Sequence, residues 1–165
     1  MGWGATLLPL SDFAQDWEWL AGCAVDPLPD APPTPRPAVR AVDVLHLLRA
    51  AGLSGWTSPR IDDELDVLLR DDAATSAYAA TTLTDVLLHP RSEPDAPLPE
   101  RIDRDTPVVA LGLTRPHPHA ALRAAQALVP VWGPTVAMEH SGCRSLVVDG
   151  VVADLDAAVA RWFHP

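Results

Sequence analysis

The 165 residues include neither lysine nor asparagine, so all twelve basic residues are arginine, and 22 aspartates and glutamates stand against them. The formal charge is −10 at pH 7. That balance argues against DNA or RNA as a partner, because nucleic-acid binding draws most of its affinity from cationic contacts to phosphate. A basic protein would instead be steered in. Cysteine is scarce: Cys23 and Cys143 lie far apart with no paired spacing, which excludes a disulfide framework and suits a reducing cytoplasm. No apolar run approaches the length of a membrane span, and the amino terminus shows no basic segment followed by an apolar one. A cytoplasmic protein with no membrane association is expected.

Motifs that announce chemistry are missing too. No phosphate-cradling glycine loop and no dinucleotide fingerprint follows a strand pattern. Gly52-Leu53-Ser54-Gly55 lacks a position needed for a nucleophile elbow. No catalytic residue and no cofactor is assigned.

What the chain has is a continuous run of element signals from Thr106 to Phe163. The apolar stretch Val108 to Leu113 suits a strand buried on both faces, and Pro107 to Thr114 is read as that strand. Either Thr135 to Met138 or Arg144 to Val148 is its expected neighbour. Pro116 and Pro118 open a helix from His117 to Val129, since proline costs little in a first turn, and Pro130 stops it. Pro134 to Glu139 and Arg144 to Val148 are joined by turn chemistry at Ser141-Gly142, so they are antiparallel neighbours. Asp149-Gly150 between apolar pairs signals a hairpin, whereas Val152, Leu155, Val159 and Trp162 recur at helical spacing. The spacing favours strand, turn and then a closing helix from Val151 to Phe163. The expected fold is α+β: a small mixed sheet with this C-terminal β-α-β-β-α unit and several helices before it.

The length fits a single domain, residues 1–165, and a domain near this size buries about 68–70% of its unfolded surface. Pro-rich loops are expected at 26–37 and 90–107. Earlier in the chain, Trp3 to Leu8 reads as a strand bounded by Pro9. Ser11 caps a helix with Phe13, Trp17 and Leu20 on one face and Gly22 at its end. Trp17 and Trp19 cannot both point inward, which leaves Trp19 as an interface candidate. A helix from Pro37 to Gly52 carries Val42, Leu45 and Leu48, with His46 in the stripe. Gly55-Trp56-Thr57 is a strand or turn. Pro59 to Arg70 is a helix whose acids include Asp62, Asp63 and Asp66, and Ala73 to Leu88 reads as helix, although Thr81 to Thr84 also suits a strand.

Four residues are candidate metal ligands. His117 and His119 form a His-x-His pair after a strand, resembling the metal-binding start of amidohydrolases over three residues, and Glu139 with His140 ends a neighbouring strand. His140 and Cys143 also set a possible base near a possible nucleophile.

Alanine and proline abundance with arginine alone as cation is the bias of a high-GC bacterial genome. Together with Val42-Asp43-Val44-Leu45-His46-Leu47-Leu48-Arg49-Ala50-Ala51-Gly52 before a tryptophan, and a strand-helix-strand ending in an acidic turn, the chain resembles immunity-type proteins of high-GC bacteria. The resemblance implies a non-enzymatic inhibitor that blocks a basic toxin or effector by binding it. Asp62, Asp63, Asp66 and Trp19 are the partner-binding candidates. A small metal-dependent or cysteine-dependent enzyme and a subunit of a larger assembly are the alternatives. The oligomeric state is left open.

Overall fold

The computed structural model describes residues 3–57, 60–71, 79–92, 95–140 and 144–163. Among them the chain runs β1 (Gly4–Pro9), a 3₁₀ turn (Leu10–Phe13), α1 (Trp17–Cys23), β2 (Val39–Arg40), α2 (Ala41–Ala50), β3 (Ser54–Thr57) and α3 (Asp63–Leu69). It continues through β4 (Thr82–Pro90), β5 (Pro107–Thr114), α4 (Pro118–Trp132), β6 (Thr135–Glu139), β7 (Arg144–Val148) and α5 (Leu155–Trp162). The fold is α+β, with one mixed seven-stranded sheet in the order β3-β4-β5-β1-β6-β7 and β2 beside the start of β5. Only β3 and β4 pair in parallel; every other ladder is antiparallel.

The apolar run of β5 is a mostly buried strand, but its neighbours differ from the expected ones. β1 inserts between β5 and β6, with Leu7 opposite Leu111 on one side and Ala137 on the other. β4 takes the far edge of β5. The reach of α4 allows this, because a crossover helix can return the chain one strand further on and leave a slot for the amino terminus.

Side chains alternate along strands, so register decides which residues share a face. Ala5 and Leu7 of β1, Val86 and Leu88 of β4, Leu111 and Leu113 of β5, Ala137 of β6 and Leu146 of β7 line one face. All are buried in one cluster with Leu45 and Leu48 of α2, Leu65 and Leu69 of α3, Leu122 and Leu128 of α4, and Trp162 of α5. Each such aliphatic side chain taken from water contributes about 1.5–3 kcal/mol. The second face has its own, smaller cluster: Leu10, Phe13, Leu20 and Val136, flanked by Leu8, Trp17, Met138 and Val147.

Local departures from expectation have identifiable causes. Ala73 to Leu88 is not a helix where it is described: residues from Thr82 onward form β4, whose Val86 and Leu88 alternate with exposed Asp85 and Leu87. Tertiary pairing with β5 overrides the local helical pattern. Pro130 does not stop α4, which runs on to Trp132 and ends at Gly133 with φ 75°. Arg36 caps the end of the helix, donating to the Pro130 carbonyl at 2.8 Å and the Val129 carbonyl at 3.4 Å. The expected helix after Ser11 is split into the 3₁₀ turn and α1, and Gly22 lies inside α1 rather than beyond it. His46 is exposed, on the water side of α2 rather than in its stripe. At the carboxyl end the strand-turn-helix reading holds, with Gly150 at φ 113° and α5 starting at Leu155, later than Val151. Asp154 caps it by accepting from the Ala157 N–H at 2.9 Å. Residues 26–37 contain no helix or strand, and residues 91–106 connect β4 to β5.

Candidate protein-binding surface

The second face of the sheet is covered over only part of its width. The 3₁₀ turn and α1 follow directly from β1 and lie over β6 and β7; the Leu10 N–H donates to the Pro134 carbonyl at 2.7 Å, and the Val25 N–H to the Ser145 carbonyl at 2.9 Å. Over β3, β4 and β5 no helix among the described residues covers the same face. Register places Trp56, Asp85, Leu87, His89, Gly112 and Thr114 there, since Trp56 pairs with Asp85, Asp85 with Thr114 and Leu87 with Gly112. Trp56 is 49% exposed and Leu87 45%. Both are apolar side chains left partly in water on one face, the kind of surface that partner proteins cover when the exposed patch is extensive.

Two imidazoles approach this face, each beside a glycine. A Cβ at Gly112 would stand 3.0 Å from His89 Nε2, and one at Gly4 would stand 2.7 Å from His140 Nδ1. Thr6 joins them: it pairs directly with Gly112 across β1 and β5, and its Oγ1 is 2.7 Å from His140 Nε2. His89 is half-buried, and loss of water pushes its pKa below the ordinary histidine value.

The sequence-based partner residues fall elsewhere. Asp62 is the residue before α3; its carboxylate takes Arg101 Nε at 2.5 Å, and Arg101 also reaches Asp63 at 3.3 Å. Asp63 is otherwise fully in water. Asp66 turns back toward the sheet, accepting from Thr57 Oγ1 at 2.6 Å and pairing with Arg70. The acidic start of α3 thus carries two arginines as well as its acids. Thr57 follows Trp56, so α3 and the open face lie on opposite sides of the same strand, β3. Trp19 is 49% exposed and stacks on Phe13 with ring centroids 6.3 Å apart, while Trp17 packs into the second cluster.

The metal candidates are dispersed. His117 caps α4, its Nδ1 accepting from the His119 N–H at 3.3 Å; burial and then the neighbouring His119 lower its pKa. His119 Nε2 meets Asp156 of α5 at 2.6 Å. Glu139 is buried and paired in register with Ala5, on the helix-covered side, whereas His140 lies over β1 on the other. No group of three or more His, Cys, Asp or Glu side chains among the described residues is placed to hold a metal. Cys143 and the Ser141-Gly142 turn lie outside the described residues. Cys23 is a free thiol. No helix among the described residues is long and apolar enough to cross a membrane.

A shallow cleft opens at the other end of the sheet, between Pro9, Asp12, Arg36, Arg91, Val109 and Trp132. Burial raises the Asp12 pKa, opposed by Arg91 and by a hydrogen bond from Ser11. Arg36 is already committed to the end of α4.

Sequence reasoning missed Trp56 as a site residue, and Leu87, Asp85 and His89 altogether. The available signal was that Thr81 to Thr84 also suits a strand, while the unbroken apolar run Val86 to Leu88 hides which of its residues faces water. Compared with models of known protein families, with curated proteins and with solved structures, the chain gives no match.

Proposed function

We propose that this chain is a non-enzymatic binding protein of the immunity type, acting in the cytoplasm to neutralise a basic toxin or effector by covering it. The observation that carries the reading is the open half-sheet, with Trp56 and Leu87 half-exposed side by side with Asp85 in a chain of formal charge −10. An aromatic anchor on a flat face supplies affinity, and the net negative field speeds encounter with a cationic surface. The acids of α3, around the edge of β3 from Trp56, extend the negative side of the same region.

The test is to purify the chain with the product of the adjacent reading frame and titrate one with the other. A stoichiometric complex whose association slows as salt is raised supports the reading. Reversal of Asp62 and Asp63 to arginine slows association and flattens its salt dependence, with little effect on stability because Asp63 is in water and Asp62 gives up only a surface ion pair with Arg101. Asp66 is left intact in that variant, since it holds Thr57. Absence of a complex, or a complex indifferent to salt and to the reversal, rejects a charge-steered inhibitor.

A further inference from the structure

The open face contains a titratable group near one end of β4, and we infer that the basic partner binds there more tightly while His89 is uncharged, so that the complex is favoured at neutral pH and weakened in acid. This rests on the binding reading above and adds its regulation.

His89 lies between Leu87 on its own strand and Ala110 and Gly112 on β5, with its Nε2 beside Gly112, which has no side chain. A partner that covers Leu87 and Gly112 therefore covers the ring. No counterion waits for a proton there: among the described residues His89 makes no hydrogen bond or ion pair. Asp85 is on the same face four residues back along β4. Across the Gly112 and Thr6 pair, His140 is engaged with Thr6. At the other end, Arg91 continues the strand and lies with Asp12 in the cleft lining. Water is thus the main stabiliser of an imidazolium at this site, and burial has already made the charged form less favourable.

Docking removes that water, and a cationic partner adds repulsion. Both effects have the same sign. The bound ring therefore takes up a proton less readily than the free ring, and by linkage affinity is retained above the range in which free His89 titrates and falls as pH drops through it. Histidine suits such a role because its charge changes between about pH 5 and 8.

The experiment uses the purified complex of the full chain with its basic partner. Affinity is measured by calorimetry at pH 7.5 and pH 5.0, with circular dichroism confirming the fold at both. The wild-type complex should weaken about three- to tenfold in acid, and His89→Gln should lose most of that slope. The slope, not the affinity at pH 7.5, is the readout. In parallel, the ring signals of His89 followed by NMR should titrate at lower pH in the complex than in the free protein, which tests the inference even if the variant folds poorly. An unchanged slope in His89→Gln, or an identical titration of His89 free and bound, overturns it. If no complex forms at pH 7.5 either, the binding reading itself fails.

Discussion

Two halves of one sheet face meet different surroundings. Over β6 and β7 the second face presents Val136, Met138 and Val147, and the segment from Leu10 to Cys23 closes over them. Over β4 and β5 it presents Asp85, Leu87, His89, Gly112 and Thr114, with no covering helix among the described residues. The difference follows from chain reach. The covering segment leaves β1 at Pro9 and is tied at once to the start of β6, so it extends over the strands on that side and leaves the other side bare. Antiparallel sheets tolerate a wet face when polar residues alternate with apolar ones, and β4 does so except at Leu87. That exception, with Trp56 beside it, separates an ordinary solvated face from a candidate interface.

Substitutions in the two halves should sharpen the contrast. The largest effect is expected in the covered half, where Leu20→Ala removes a fully buried side chain from a four-residue cluster and should cost about 2–5 kcal/mol in chemical denaturation. A loss well under 1 kcal/mol would mean that α1 is not needed to hold the covered half together. In the open half, Gly112→Ala should cost less than about 1 kcal/mol, because the atom it meets at 3.0 Å is the tip of a side chain that can swing into water. Its sharper consequence is on His89: a displaced, better hydrated ring should titrate at a higher pH, which NMR would show. The smallest stability effect belongs to Trp56→Ala, within about 0.5 kcal/mol of wild type. That same change should weaken the partner complex by tenfold or more, whereas substitution of an exposed apolar residue beside α4 on the helix-covered side, Val151→Ala, should not. Equal effects of the two on binding would make the open face no different from the rest of the surface.

Much of the architecture was legible because local signals agreed with one another. β5 and β7 coincide with the expected strands, β6 and β7 pair antiparallel as expected, and the proline-opened helix begins where His117 and Pro118 set it. The failures lie where a distant partner outweighed a local pattern. Residues 82–90 form a strand because β5 offers an unpaired edge and β3 a second one, neither of which is visible within the segment. Helix α4 runs through Pro130 to Trp132, and a residue 94 positions earlier, Arg36, takes the Pro130 carbonyl at its end. The candidate surface was harder to read for the same reason: Trp56, Leu87 and His89 become neighbours only through strand register.

By itself, the sequence determined the negative charge, the absence of recognisable catalytic motifs, the α+β class and the strands that must be buried, since composition and short-range periodicity are properties of the chain alone. Only the tertiary structure decided that β1 separates β5 from β6, that Asp66 turns inward to Thr57 while Asp63 stays in water, and that one half of a sheet face remains open. Those outcomes depend on which edges pair and how far a connecting segment reaches. Such choices are made by contacts between residues distant in sequence, and no local pattern contains them.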